Sequence, residues 1–156
     1  MKISDILTEE MVMTALDGQD KDEVINALID RVATSPRVKD KAKVKQAIFE
    51  REKIMSTGVG NGFAIPHGKT DAVTDIVAAF AVTSRPIDYQ SLDEKPVRLV
   101  FLLVGKDNLV GPHIKLLSRI SRLMNKESFR ARLLAAQTPH EIIESFRSEE
   151  ASYFEL

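Results

Sequence analysis

Val97-Arg98-Leu99-Val100-Phe101-Leu102-Leu103-Val104-Gly105 is an almost unbroken apolar run of strand length, closed by a glycine. A strand with one wet face alternates apolar and polar residues, so a run this continuous needs cover on both faces. Residues 75–83, DIVAAFAVT, repeat the pattern, and Ile87-Asp88-Tyr89 between the two runs is expected to add a short strand. The cover lies in the flanking segments. Upstream, a helix is expected from Asp20 to Thr34, capped by Asp20 with Glu23 three residues on, its stripe being Val24, Leu28, Ile29 and Val32. A second runs from Lys39 to Ile54, with Val44, Ala47, Ile48 and Met55 in register. Met11-Val12-Met13, before both helices, suggests a short strand. Downstream, PHIKLLSRISRLM, SFRARLLAA and PHEIIESF are helical in period, opening at Pro112 as first helical residue, at Ser128 and at Thr138-Pro139. The sum is an α/β sandwich, with strands in the middle and helices on both faces. Strand direction does not follow from the pattern.

The chain as a whole sets limits on function. Its 156 residues suit one domain, 1–156, long enough to bury roughly 70% of the unfolded surface. A formal net charge of −1 leaves no electrostatic footprint for nucleic acid. Without cysteine there is no disulfide, thiol nucleophile or thiolate metal site. The opening MKISDILTEEM has acidic residues where a signal peptide has its apolar core, and no run approaches the ~20 apolar residues of a membrane span. A cytoplasmic protein is the expectation.

Chemistry concentrates at residues 56–68, STGVGNGFAIPHG. A Walker loop requires lysine after its last glycine, whereas Gly62 precedes Phe63-Ala64. A dinucleotide fingerprint needs GxGxxG opening a helix; here the spacing differs and Pro66 stands where that helix would be under way. Proline biases the preceding residues to extended backbone, so a tight Asn61-Gly62 turn leading into an extended Phe63–Ile65 is expected. His67 follows between Pro66 and Gly68, and the glycine removes bulk so that another molecule can approach the ring. Arg51 falls on the apolar stripe of its helix, where it either pairs with a carboxylate such as Glu50 or Glu52 or faces a pocket for an anion. His113 begins the stripe of Leu116, Leu117, Ile120 and Met124, where it either packs at the helix start or joins a site. Two imidazoles and a guanidinium suit reversible capture of a phosphoryl group on histidine. A metal-dependent hydrolase fits poorly, because HxH and HExxH spacings are missing and His140 opens a helix facing solvent.

Glu50-Arg51-Glu52-Lys53, Ser56-Thr57-Gly58, Gly60 to Gly68 and Pro112 to Ser118 resemble the type-2 enzyme IIA family (fructose/mannitol) of the bacterial phosphoenolpyruvate-dependent sugar phosphotransferase system. The resemblance extends from about Ser4 to Phe146 and includes the tail RLLAAQTPHEIIESF. It implies a single-domain sandwich with a central mixed β-sheet flanked by helices, and a phosphocarrier without cofactor or metal. His67 would be phosphorylated by a histidine-phosphorylated carrier protein and would pass the group to a cysteine of a IIB domain, serving uptake of a fructose-type sugar. His113 would hydrogen-bond the phosphoryl group or the ring, and Arg51 would balance charge. Thr57 would be a further phosphoryl ligand, with Asn61 and Gly68 as supporting residues. Asn61 stands where some mannitol-type members carry an acid, which points to the fructose or nitrogen-regulatory branches. The alternative implied is a nitrogen-regulatory protein whose phosphorylation state controls partner binding.

Overall fold

The computed structural model describes residues 1–154. In chain order it comprises α1 (Ile3–Ile6), a short 3-10 turn (Glu9–Met11), β1 (Val12–Leu16), α2 (Lys21–Val32), α3 (Lys41–Ile54), β2 (Phe63–Ala64), β3 (His67–Thr70), β4 (Val77–Ile87), β5 (Val97–Lys106), α4 (Val110–Met124), α5 (Glu127–Ala135) and α6 (Pro139–Phe154). The sheet runs β1-β4-β5, and both β2 and β3 pair with the far edge of β5. It is mixed: β1 is parallel to β4, β4 antiparallel to β5, and β2 and β3 parallel to β5.

Alternation along the two long strands divides the core. Ala78, Phe80 and Val82, with Leu99, Phe101 and Leu103, face the layer of α1, α4, α5 and α6. Val77, Ala79 and Ala81, with Val100, Leu102 and Val104, face α2 and α3. Both faces are dry, which is why the two sequences lack polar alternation. On the first face Phe146 of α6 stands edge-on to Phe80, Phe101 and Phe129, with ring centroids 5.2 to 5.7 Å away.

The helix starts follow from local chemistry. Asp20 accepts from the Glu23 N–H at 2.9 Å, Asp40 from Lys43 N–H at 3.3 Å, and the Thr138 hydroxyl oxygen from Glu141 N–H at 3.1 Å. Three expectations need correction. The apolar stretch at Ile87 is the end of β4, which runs on through a register shift after Val82, so no separate strand forms at 87–89. Helix α4 begins at Val110, so Pro112 is its third residue; the missing N–H costs nothing there because first-turn donors have no intrahelical partner. Helix α5 starts at Glu127, one residue ahead of Ser128.

The glycine-rich segment delivers the edge strands. Asn61 and Gly62 both have positive φ, 59° and 79°, and Phe63 N–H bonds back to Gly60 C=O, as in a type I′ turn. The chain then lies along β5, pairing Phe63 with Leu99 and, after the Ile65-Pro66 break, His67 with Leu103. Pro66 has no N–H to offer, but its carbonyl accepts from Leu103 N–H at 3.0 Å, so the break costs no register.

Phe146→Ala should destabilise the protein by about 3–5 kcal/mol, because it empties the centre of the aromatic cluster. Urea unfolding followed by circular dichroism measures this.

Candidate functional site

Parallel pairing puts His67 on the same side of the sheet as its partner Leu103, towards α4. The next residue, Gly68, turns to the α3 side. At an edge strand both helical layers come within reach. The last turn of α3 brings Arg51, the first turn of α4 brings His113, and β3 holds His67 between them around an open cavity of about 480 Å³. Gly68 and Lys69 line the same cavity, as do the apolar side chains of Ile54, Ile114 and Leu117.

The His67 ring is fixed by a short local bond. Nδ1 lies 2.7 Å from the carbonyl oxygen of Ile65. A carbonyl only accepts, so Nδ1 carries the proton and Nε2 the lone pair. Burial pushes the His67 pKa below its ordinary value, and Arg51 and Lys69 push the same way; the Ile65 bond and Glu52 oppose them. The ring is therefore neutral and nucleophilic at neutral pH. His113 stands beside it, with ring centroids 5.8 Å apart and planes tilted by 52°. It is only 3% exposed, and neither of its ring nitrogens has a hydrogen-bond partner among the described residues. Burial first, then the charges of His67 and Lys69, bring its pKa down to about 4. Room for this ring comes from Gly105 at the end of β5, since a Cβ there would overlap Nδ1 of His113.

Several sequence expectations change in detail. The buried stripe of α3 is Val44, Ile48 and Glu52, each four residues apart, with Ala47 half-buried. Arg51 is half-buried at the cavity wall, and Met55 is 54% exposed. Arg51 does not pair with Glu50 or Glu52: Glu50 accepts from Gln46, and Glu52 is bound by Lys21 at 2.8 Å. Its Nη1 instead donates to the Met55 carbonyl at 2.9 Å. The space cleared at Gly68 is filled from within, because a Cβ there would press on Ala47 of α3 at 3.1 to 3.2 Å. Thr57 lies outside the cavity, with its hydroxyl bonded to Glu52 and to Tyr89. Asn61 is also outside; its side chain donates to Asn125 at the end of α4, and its backbone N–H to Asp93. His140 is on the surface near Glu9. Sequence reasoning names Glu52 only as a possible partner of Arg51 and gives Lys21, Tyr89 and Gly105 no role in the site. The four-residue spacing from Val44 through Ile48 to Glu52 was the available signal for the first of them.

Among the described residues, no helix is long and apolar enough to cross a membrane. Nor, among the described residues, do three or more His, Cys, Asp or Glu side chains come together as a metal site.

The lowered histidine pKa values give stability a definite pH dependence. An imidazole with a folded pKa below its unfolded value near 6.5 binds fewer protons when folded. Its contribution is complete above about 6.5 and is lost as pH falls towards about 4. Thermal melts should therefore show falling stability across that window, and His113→Gln should have a shallower slope there than the parent protein.

Comparison with known proteins identifies the family of the chain. The family described as phosphoenolpyruvate-dependent sugar phosphotransferase system, EIIA 2, matches residues 5–149. The fructose-specific EIIABC component of Bacillus subtilis (strain 168) is 35% identical over 144 residues, 92% of this chain but only 23% of that protein. The nitrogen regulatory protein of Bradyrhizobium diazoefficiens is 36% identical over 137 residues, covering 88% of this chain and 89% of that one. Among solved structures, nitrogen regulatory protein IIA-Ntr from Neisseria meningitidis superposes with a TM-score of 0.86 at 29% identity, over 92% of this chain and 98% of that chain. The mannitol IIA of Escherichia coli, solved in complex with phosphorylated IIB, shares the fold with a TM-score of 0.78 at 20% identity, over 92% of this chain and 99% of that one. The edge-strand histidine and its two helix-borne neighbours thus sit in a chain that belongs to the EIIA 2 family of the phosphoenolpyruvate-dependent sugar phosphotransferase system.

Proposed function

We propose that this phosphotransferase-system component is a phosphocarrier whose acceptor atom is Nε2 of His67. The observation that carries the reading is the Nδ1–H bond to the Ile65 carbonyl, which leaves Nε2 as the lone-pair nitrogen of a neutral ring at the cavity. In the accepting step Nε2 forms a bond to phosphorus. The phosphorus–nitrogen bond of the donor phosphohistidine breaks, and its electron pair returns to the donor ring. His67 keeps its Nδ1 proton throughout. The arriving group brings negative charge, to which the Arg51 guanidinium is matched in charge and planar geometry. His113, buried and with both ring nitrogens unpartnered among the described residues, supplies a ring donor, and the positive end of the α4 dipole, where Leu109 makes no side-chain cap, favours an anion there. In the second step a IIB cysteine, as the thiolate, forms a sulfur–phosphorus bond while the Nε2–phosphorus bond breaks and its electron pair returns to Nε2. The mannitol IIA structure, a complex with phosphorylated IIB, supports this choice of partner. A fructose-type permease is the favoured destination, given the fructose-specific relatives from Bacillus subtilis and Haloferax volcanii at 35% identity.

A second reading, regulation through the same phosphohistidine, is favoured by the fit to IIA-Ntr at a TM-score of 0.86. Transfer of label from the phosphorylated protein to a purified fructose IIB separates the two. Rapid transfer supports uptake, and a stable phosphoprotein supports regulation.

Incubation with phosphoenolpyruvate, enzyme I and the carrier protein should give one acid-labile, base-stable phosphate. His67→Ala should abolish it, and a parent protein that remains unlabelled would overturn the assignment. Arg51→Gln should slow labelling on the order of 100-fold, and His113→Ala should slow it without removing the site, both in folded protein.

A further inference from the structure

Glu52 is a carboxylate with 8% exposure in the last turn of α3, and four groups from three segments converge on it. Lys21, at the start of α2, pairs with Oε2 at 2.8 Å and lies 4.7 Å above the Tyr89 ring. Tyr89, fully buried beyond β4, donates its hydroxyl to Oε1 at 3.1 Å. Thr57 gives both its hydroxyl and, at 3.3 Å, its backbone N–H. A buried acid with this many donors is a stiff joint, because each donor left unpaired would carry a desolvation penalty.

Two hydrogen-bonded branches leave the joint, and both end at the cavity. The Thr57 carbonyl accepts from Ile65 N–H at 3.2 Å, and the Ile65 carbonyl accepts from His67 Nδ1 at 2.7 Å. The other branch is the short span between Glu52 and Thr57. Closing it fixes the path of Met55, the extended residue that ends α3, and the Met55 carbonyl holds the Arg51 guanidinium at 2.9 Å. The acceptor ring and the guanidinium are thus aimed by one anchored residue, Thr57, that touches neither.

We infer that Glu52 and Thr57 are positioning residues for phosphoryl transfer, setting the tautomer of His67 and the aim of Arg51 through the Ile65 and Met55 carbonyls. The inference rests on the phosphocarrier reading for its kinetic consequence but not for its structural one. The hydroxyl of Thr57 serves Glu52, which differs from the direct phosphoryl ligand expected in the sequence.

The test uses the full chain with Glu52→Gln, Thr57→Val and the conservative Thr57→Ser, each checked for folding by thermal melting. Nitrogen-15 NMR at about pH 8, where the imidazole is neutral, reads the His67 tautomer without any phosphoryl donor. The parent protein and Thr57→Ser should show the Nδ1–H form alone, and Glu52→Gln and Thr57→Val a mixture of tautomers. With the phosphorylated carrier protein as donor, kcat should fall about 10- to 100-fold in Glu52→Gln and Thr57→Val, with KM changed less than about 3-fold and Thr57→Ser near the parent value. If a folded Glu52→Gln or Thr57→Val keeps the pure Nδ1–H tautomer, or if KM rises while kcat holds, the inference is overturned. Should Glu52→Gln not fold, the Thr57 pair decides by the same two readouts. A parent protein that accepts no phosphate would remove the phosphocarrier reading and leave the tautomer result standing.

Discussion

The pairing of residues 63–70 with β5 is the constraint from which the site follows. β5 is buried on both faces and held on one side by β4, so its other edge is a rigid template. A segment laid along that edge in parallel register has no freedom to choose which side each residue faces. His67 must meet the α4 layer and Gly68 the α3 layer. The break at Ile65-Pro66 preserves this register and frees the Ile65 carbonyl to bend back and hold the His67 ring. A strained loop is unnecessary when an edge strand already presents alternate residues to two helical layers.

Much of the architecture is legible from local patterns because its physics is local. The apolar runs at 77–82 and 97–104 announce strands with two dry faces, and Asp20, Asp40 and Thr138 cap helices through donors three residues away. The turn at Asn61-Gly62 follows from the backbone freedom of those two residues. These features need only a few neighbouring residues to be decided, and they make Phe63–Ile65 extended; that the chain resumes as a strand at His67 depends on its pairing with β5.

The features that local patterns do not reveal depend on partners from other segments of the fold. A periodicity argument puts hydrophobic residues inside and leaves a glutamate outside, which turns Arg51 and Met55 of α3 towards the core. Glu52 takes the inward place because Lys21, Thr57 and Tyr89 meet it there, and two of those three are more than 30 positions away in sequence. Gly68 and Thr57 follow the same logic. Glycine beside His67 suggests access from outside, yet the neighbour that requires it is Ala47; a hydroxyl close to that histidine in sequence suggests a ligand, yet its partner is Glu52. The stripe of α4 is enough to put His113 on the buried face, but room for its ring depends on Gly105 near the end of β5.

The two faces of the sheet also differ in the size of the residues that fill them. Phenylalanines fill the side towards α4, α5 and α6, while Ala64, Ala79 and Ala81 face the side of α2 and α3, where Gly68 meets Ala47. Small residues act as thin spacers, and thin spacers set how close a helix can sit. At Gly68 the strand backbone comes close enough to α3 that an added Cβ would lie 3.1 to 3.2 Å from Ala47, one turn before Arg51. Bulk added between α3 and the strands would work as a wedge, lifting the guanidinium away from His67 while every residue of the site kept its identity. The separation of guanidinium and imidazole thus depends on small residues that belong to neither.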